Sequence, residues 1–212
     1  MSITLVITNQ KGGVGKTSTA SAVASGLEEK GYKILAIDLD PQGNLGFCLG
    51  AEIDIGPTVY ELMKGSAAVH SVIQHRNGID IIPSNILLSS AELEFTHIGR
   101  EYLLKKGIAP VKDNYDFIVI DTPPALNLLT VNAYTATDKL IIPMVPEILS
   151  LLGISQLRET IQLVKNMYNP KLEVLGILLN KYDKRRLLTR DVEEMAQIIA
   201  RELSTRVFDT KI

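Results

Sequence analysis

The sequence predicts an α/β fold in which a doubly wound, mostly parallel sheet carries helices on both faces. Apolar segments of strand length alternate with helix-like segments along the chain. These apolar segments are rich in Val, Ile and Leu without polar alternation, as expected of strands covered on both sides. No repeat or linker divides the chain, so we expect residues 1–212 to form a single domain. The predicted strands are residues 3–7, 34–37, 79–82, 117–120, 140–142 and 174–179.

Composition limits the class of protein. The chain has 212 residues, of which 46% are hydrophobic and 22% are charged, which suits a globular domain with a sizeable core. It contains no apolar run of about 18 residues that would span a membrane, and its first apolar segment is too short for a signal peptide. The single cysteine, Cys48, cannot form an internal disulfide, so we expect a cytoplasmic protein. Since the formal net charge is −2, binding to DNA would require a local basic patch.

A glycine-rich loop follows the first predicted strand and precedes a predicted helix that begins near Lys16. This order of elements is typical of a phosphate-binding loop, in which glycines let backbone N–H groups approach phosphate oxygens. The helix N-terminus adds a favourable field for anions. We predict that Lys16 holds the β- and γ-phosphates and that the Thr17 hydroxyl ligates Mg²⁺. The predicted nucleotide-binding residues of the loop are Lys11, Gly12, Gly13, Val14, Gly15, Lys16, Thr17 and Ser18.

The loop departs from the general phosphate-binding pattern at its start. Gln10 stands where that pattern has its first glycine, and a second lysine, Lys11, precedes Gly12 and Gly13. The resulting form, Lys-Gly-Gly-x-Gly-Lys followed by Thr or Ser, resembles the deviant Walker A motif of the ParA/MinD family of dimerising ATPases. The alternative is a glycine-rich turn that carries lysines by chance, which is rare for six fixed residues between a strand and a helix.

Two carboxylates follow the second predicted strand. Asp38 and Asp40 are two residues apart, so they face the same side if the strand continues, and one of them can orient water or reach Mg²⁺. The segment Asp-Leu-Asp-Pro-Gln-Gly-Asn, residues 38–44, resembles switch I of the ParA group. By that resemblance, Asp40 positions the attacking water and contributes to the metal site, whereas Asp38 supports the metal shell and its waters. An ordinary strand end with turn residues is the alternative.

Asp121 ends the fourth predicted strand and is followed by Thr-Pro-Pro. An apolar strand closed by an aspartate is typical of a Walker B motif, in which the carboxylate holds a metal-bound water. The sequence Asp-Thr-Pro-Pro also resembles switch II of the same family. We therefore predict that Asp121 contributes to the metal and nucleotide site. A capping role before a helix over residues 128–135 is the alternative, and both roles can hold together.

The segment that follows the sixth predicted strand, Asn180 to Asp183, supports two interpretations. Asn-Lys-x-Asp resembles the motif with which GTPases bind guanine. In contrast, the longer segment from residue 169 to residue 183 resembles the ParA/Soj pattern, which usually has Thr-Met-Tyr-Asp at its end. We interpret Asn180 as a base contact and ATP as the nucleotide, with GTP as the alternative.

A basic cluster precedes the last predicted helix and consists of Lys184, Arg185, Arg186 and Arg190. An exposed basic turn can contact DNA phosphates without reading sequence, although a solvated loop explains the cluster equally well. Residues 207–212 resemble a stretch that continues in ParA-like proteins into helices that help to bind adenine and DNA. The chain therefore ends as a short or a truncated family member would. Elsewhere, Ser89 and Glu92 have the spacing of a capping box that opens a helix.

Together, these segments identify the chain as resembling the ParA/Soj-type partitioning ATPases. The resemblance implies an ATP-bound homodimer in which Lys11 reaches the other subunit's phosphates, so that Lys11, Lys16 and Asp40 are the predicted catalytic residues. It implies hydrolysis of ATP with Mg²⁺, a ParB-like activator, a plasmid or chromosome as cargo, and association with the nucleoid. We expect no membrane partner, because the sequence shows no C-terminal basic amphipathic segment of the kind found in MinD.

Four other classes of protein share parts of this pattern. A MinD-like positioning ATPase, a GTPase of the same superfamily and a scaffold that binds nucleotide without hydrolysis stay open. An iron–sulfur carrier of this superfamily would need two cysteines per subunit, and the chain has one.

Overall fold

The structure is a computed structural model that describes residues 2–145, 152–183 and 187–212. Within these ranges, eight strands form one sheet: β1 (Ile3–Ile7), β2 (Ile34–Asp38), β3 (Gln74–Arg76), β4 (Ile79–Ile82), β5 (Phe117–Asp121), β6 (Lys139–Met144), β7 (Glu173–Leu179) and β8 (Val207–Lys211). Their order is β3-β4-β2-β5-β1-β6-β7-β8, and every neighbouring pair is parallel except the antiparallel pair β3 and β4. The predicted doubly wound, mostly parallel sheet is therefore confirmed, whereas the single-domain boundary stays a prediction.

Helices lie on both faces of this sheet. Alternate residues of one strand face two separate apolar clusters: Ile34 packs with Ala20 and Ala24, whereas Leu35 packs with the cluster around Tyr134. Burial on both faces explains why the central strands are continuously apolar. The helices of the described residues are α1 (Lys16–Glu28), α2 (Asn44–Leu49), α3 (Val59–Lys64), α4 (Val69–Val72), α5 (Ala91–Glu94), α6 (Leu103–Ile108), α7 (Leu128–Ala136), α8 (Leu152–Met167) and α9 (Leu187–Glu202).

Two strands were not predicted, and both involve the edges of the sheet. β3 is only three residues long and reads Gln-His-Arg, and β8 contains Asp209, Thr210 and Lys211. Edge strands are partly exposed and carry polar side chains, so they lack the apolar run by which the other six were recognised.

The predicted capping box at Ser89 and Glu92 is wrong. The Ser89 hydroxyl donates to the Ile86 carbonyl at 2.7 Å, and the Glu92 carboxylate accepts the backbone N–H of Leu128 at 3.1 Å. A 3₁₀ turn over Ile86–Ser90 takes the place of a helix N-terminus at this point. A capping box does open α3, where Thr58 and Glu61 satisfy each other's backbone N–H groups.

The register of the central strands brings the candidate site together. Asp121, the last residue of β5, pairs with Ile7 of β1 on one side and with Asp38 of β2 on the other. The segments that follow β1, β2 and β5 therefore leave the same carboxyl edge next to one another. This is the edge at which open α/β sheets bind ligands.

Candidate functional site

The glycine-rich loop joins β1 to α1 and is held at its base by Asn9. The Asn9 side chain donates from Nδ2 to the Pro143 carbonyl at 2.7 Å and accepts the Lys11 N–H on Oδ1 at 2.9 Å. Gly13 and Gly15 have φ values of +73° and +86°, in the left-handed region that favours glycine. α1 begins immediately after Gly15, at Lys16. The loop thus has the shape that its sequence predicts, with Asn9 as a support that the sequence motif did not reveal.

Lys16 lies inside this loop and is almost fully buried, with 7% of its surface exposed. Its Nζ donates to the Lys11 carbonyl at 3.1 Å. Burial lowers the pKa of Lys16, while the carboxylates of Asp121 and Asp40 act in the opposite direction. A phosphate anion is a stronger partner for an ammonium group than a neutral carbonyl, so this cation is suited to binding phosphate.

Thr17 and Asp121 form a direct pair beside the loop. The Thr17 hydroxyl donates to Asp121 Oδ2 at 2.6 Å, and the other oxygen, Oδ1, accepts the Thr122 N–H at 3.0 Å. Burial raises the pKa of Asp121 to about 6; the Thr17 hydrogen bond opposes this shift, the Asp40 carboxylate adds to it and Lys16 opposes it. A hydroxyl and a carboxylate at the mouth of a phosphate-binding loop are the oxygen ligands that Mg²⁺ uses together with phosphate and water.

Asp38 is fully buried and its carboxylate bonds to backbone. Oδ1 accepts the Asp40 N–H at 3.0 Å, and Oδ2 accepts the N–H groups of Leu45 and Gly46 at 2.9 and 3.1 Å. Burial, followed by the nearby Asp121 carboxylate, raises the pKa of Asp38 to about 7, although its backbone hydrogen bonds act against the shift. Both oxygens of Asp38 are thus turned toward the segment that contains Asp40 and α2.

Asp40 lies between Asp38 and α2 in a tight turn. Its Oδ1 accepts the Gln42 N–H at 3.0 Å, and its carbonyl accepts the Gly43 N–H at 3.0 Å. It is partly exposed and close enough to Lys16 to influence the pKa of that lysine. The structure therefore brings Asp40 and Lys16, the predicted catalytic carboxylate and the predicted phosphate-binding lysine, close together at the carboxyl edge of the sheet.

Asn180 follows β7 and contacts the loop from the side. Its Nδ2 donates to the Val14 carbonyl at 2.9 Å and to the Thr19 hydroxyl at 3.3 Å. The Thr19 hydroxyl itself donates to the Gly15 carbonyl at 2.7 Å, so its oxygen acts as the acceptor toward Asn180. Within the described ranges, Asn180 Oδ1 is buried and has no hydrogen-bond partner. The side-chain amide therefore has one possible orientation, with Oδ1 left as an acceptor.

The remaining predicted residues of the loop differ in exposure. Gly12, Gly13 and Ser18 are exposed, and Lys11 is partly exposed. Val14 is buried against Asn180. The basic cluster falls outside what can be described, because residues 184–186 are outside the described ranges and the side chain of Arg190 is not described.

Two features of the described residues bear on other kinds of site. None of the helices in this part of the chain is long and apolar enough to cross a membrane. No group of three or more His, Cys, Asp and Glu side chains is placed there to hold a metal ion. A metal that is bound largely through phosphate and water does not require such a group.

Comparison with known proteins identifies the family. Residues 2–174 match a family model described as an AAA domain. Soj of Bacillus subtilis, a sporulation initiation inhibitor protein, is 43% identical over 185 residues, which cover 85% of this chain and 73% of Soj. The chromosome-partitioning ATPase Soj of Treponema pallidum is 40% identical over 215 residues, which cover 100% of this chain and 83% of that protein. The chain belongs to the ParA/Soj family of partitioning ATPases.

Some relatives of this ParA/Soj family member are longer. An uncharacterized protein of Mycobacterium tuberculosis is 39% identical over 213 residues, and the match spans 98% of this chain but only 66% of that relative. Family membership therefore rests on a match across nearly all of this chain and about two thirds of that relative.

Solved structures confirm the fold of this ParA/Soj family member. A Mycobacterium smegmatis protein described as cobyrinic acid a,c-diamide synthase, with bound ADP and magnesium, is 38% identical with a TM-score of 0.88; the match covers 92% of this chain and 81% of that one. A variant of McdA from Cyanothece in complex with ATP is 26% identical with a TM-score of 0.88, covering 99% of this chain and 84% of McdA.

Proposed function

We propose that this protein is a Mg²⁺-dependent ATPase that dimerises with ATP bound and acts as a nucleotide switch in the partitioning of plasmid or chromosomal DNA. The observation that carries the proposal is the pair formed by Thr17 and Asp121 next to the buried Lys16. A hydroxyl, a carboxylate and an ammonium group at the end of a glycine-rich loop fit a metal-bound triphosphate. The names of the T. pallidum Soj ATPase and of the ADP- and ATP-bound neighbours support this assignment.

Different residues of the site bind different parts of the nucleotide and its metal ion. Backbone N–H groups of Gly12 to Gly15 face the phosphates, and Lys16 exchanges the Lys11 carbonyl for β- and γ-phosphate oxygens. Thr17 and Asp121 hold Mg²⁺ and its water, and the ion, when bound, neutralises negative charge on the phosphates. Asp40 completes the metal site and orients the water that attacks the γ-phosphate.

Asn180 supports ATP over GTP. Because its Nδ2 is committed to the Val14 carbonyl and the Thr19 oxygen, the buried Oδ1 can only accept a hydrogen bond. The 6-amino group of adenine is a donor, whereas guanine carries a carbonyl oxygen at that position. If the group at position 6 of the base faces Oδ1, adenine can donate a hydrogen bond to it and guanine cannot. Guanine would be disfavoured, since placing a buried acceptor opposite another acceptor is costly.

Several parts of the proposal rest on the family resemblance. Lys11 reaches the phosphates of the second subunit and adds positive charge to the transition state. A ParB-like protein stimulates turnover, and the switch operates in the cytoplasm on the nucleoid. Non-specific DNA is contacted by Lys184, Arg185, Arg186 and Arg190, whose basic charges match a phosphate backbone.

The solution mass of an Asp40→Ala variant tests the switch. With Mg²⁺ present, we expect a dimer with ATP and a monomer with ADP, GTP or no nucleotide, because loss of the water-orienting carboxylate traps the state before hydrolysis. Asp54→Ala is the matched control, since Asp54 is an exposed aspartate in a different loop; this variant should hydrolyse ATP and not remain dimeric. A dimer with GTP alone would move the base assignment to the guanine-binding interpretation. A monomer under every condition would overturn the ATP-switched dimer.

A further inference from the structure

Asp38 and Asp121 are equivalent in type and position but differ in their partners. They pair across β2 and β5 at the ends of both strands, and both are fully buried. Asp121 accepts the Thr17 hydroxyl and lies within the field of Lys16. Every hydrogen bond that the Asp38 carboxylate makes in the described residues comes from backbone N–H groups of the segment that follows it. The two carboxylates therefore serve different parts of the site.

α2 needs an acceptor at its first turn, and its own N-cap residue does not supply one. The N-cap is Gly43, which has no side chain and lies at a φ of +67°. A Cβ at this position would also come within 3.0 Å of the Ser84 carbonyl oxygen, so glycine suits the position for two reasons. The first N–H groups of a helix are otherwise unsatisfied. Asp38 Oδ2 satisfies two of them, those of Leu45 and Gly46, from seven and eight residues earlier in the chain.

The same carboxylate also holds Asp40. Asp38 Oδ1 accepts the Asp40 N–H at 3.0 Å, and the turn that follows is closed by the Gly43 N–H on the Asp40 carbonyl at 3.0 Å. The segment from Asp40 to Gly46 is thus held at its start by one oxygen and at its end by the other oxygen of one buried side chain. A rigid support of this kind matters because displacing a reacting group by about 1 Å can reduce a rate by about 100-fold.

We propose that Asp38 is a positioning residue for ATP hydrolysis, which clamps the Asp40 turn to the start of α2 and does not itself contact the nucleotide or its metal ion. The proposal rests on the proposed ATPase function and on the proposed role of Asp40. It assigns to Asp38 a role different from the support of the metal shell that the family resemblance implied.

Steady-state ATP hydrolysis by the full chain tests this assignment with two variants, Asp38→Ala and Asp38→Asn. We expect Asp38→Ala to lower kcat by about 100-fold while KM for ATP and the Mg²⁺ concentration for half-maximal rate stay within about twofold of the wild type. Asp38→Asn should recover part of the rate, with kcat about 10-fold below the wild type. The amide oxygen can still accept the N–H groups of α2, while its NH₂ group faces the Asp40 N–H.

Asp116→Asn is the matched control for these variants. Asp116 also accepts a backbone N–H across the sheet, from Lys33 at 2.9 Å, but it is exposed and precedes β5 at the opposite edge. The kcat of the Asp116→Asn variant should match that of the wild type. Thermal unfolding of each variant shows how much of a rate loss follows from a smaller folded fraction.

The outcomes separate the possible roles. A rise of about 10-fold or more in the Mg²⁺ requirement, equal in Asp38→Ala and Asp38→Asn, would mean that the charge of Asp38 supports the metal, and the positioning role would be wrong. A lower melting temperature with an unchanged kcat of the folded fraction would leave Asp38 a purely structural cap and would also overturn the proposal. Absence of ATP hydrolysis in the wild type is a separate result, since it would refute the proposed function before Asp38 is tested.

Discussion

Aspartates accept backbone N–H groups at both edges of the sheet, but they are partly or fully exposed at the amino edge and buried at the carboxyl edge. At the amino edge, Asp138 accepts the Thr4 N–H at 2.8 Å, and Asp116 accepts the Lys33 N–H at 2.9 Å. These bonds join neighbouring segments in contact with water, and Asp138 also has a lysine, Lys112, at 3.7 Å. A carboxylate in such a position keeps much of its hydration, so the bond carries little cost.

At the carboxyl edge, backbone N–H groups are accepted by carboxylates that have no exposed surface. Asp38 and Asp121 are both fully buried, and burial raises their pKa values to about 7 and about 6. Partly exposed Asp40 adds to the negative charge, and Lys16 is the cation that faces it. The aspartates at the two edges thus make similar hydrogen bonds and differ in burial. Buried carboxylates with raised pKa values are common at functional sites.

The largest effect should follow the loss of the cation at the carboxyl edge. Lys16→Ala removes the group that balances Asp121 and Asp40 and that we propose binds phosphate, so we expect ATP hydrolysis to fall by at least about 100-fold. Lys30→Ala, which changes an exposed lysine just after the end of α1, should retain the wild-type rate. Comparable losses in the two variants would mean that the buried position of Lys16 has no special role.

A smaller loss should follow from a methyl group added where the loop meets Asn180. A Cβ at Gly15 would lie 2.6 Å from Asn180 Nδ2, and the φ of +86° is unfavourable for alanine. We expect Gly15→Ala to lower the free energy of unfolding by about 2 kcal/mol and to weaken ATP binding. Gly12→Ala is the control within the same loop, because no atom lies within 4 Å of its added Cβ. Equal stability losses in chemical denaturation would contradict the steric argument.

The buried carboxylates predict a pH dependence of stability. A carboxyl whose pKa is raised on folding stabilises the folded state at low pH, and this contribution is lost as pH rises from the unfolded pKa of about 4 through the folded pKa. For Asp121, the loss spans pH 4 to its pKa of about 6.

Replacing Asp121 by Asn tests this dependence. We expect nucleotide-free Asp121→Asn to be about 1–2 kcal/mol more stable than the wild type at pH 8, but inactive. The gain should shrink at pH 4. Asp138→Asn, at the exposed edge, should not gain stability at pH 8; a gain as large as that of Asp121→Asn would contradict the comparison of the two edges.

The smallest effect concerns the base contact. Asn180→Ala removes the acceptor that we propose for the adenine amino group, so we expect ATP affinity to fall by about 1 kcal/mol, a factor of about 5, with little change for GTP. Titration with fluorescent analogues of both nucleotides measures this difference. The pH 8 stability of the variant must be recorded, because its Val14 contact is lost as well. An equal loss for both nucleotides would show that Asn180 supports the loop without selecting the base.

Local sequence patterns were enough for much of the fold and for the phosphate loop. Six strands could be predicted because they are buried on both faces, and the turn of the loop could be predicted because glycine tolerates positive φ. The edge strands β3 and β8 lacked an apolar signature, and the spacing of Ser89 and Glu92 gave a capping box that the chain does not form. The spacing of two residues in sequence predicts a contact only where the chain adopts the local conformation that the spacing assumes.

The sequence by itself thus determined the family, the loop and the aspartates that end β2 and β5. Tertiary structure decided which partner each side chain has. Asn180 lies 166 residues from Val14 in sequence, yet their hydrogen bond fixes the orientation of the amide. Asp38 and Asp121 both end apolar strands, but one bonds to the turn before α2 and the other to Thr17. Such contacts depend on strand order and register, which are set by the packing of the whole sheet and not by any one segment.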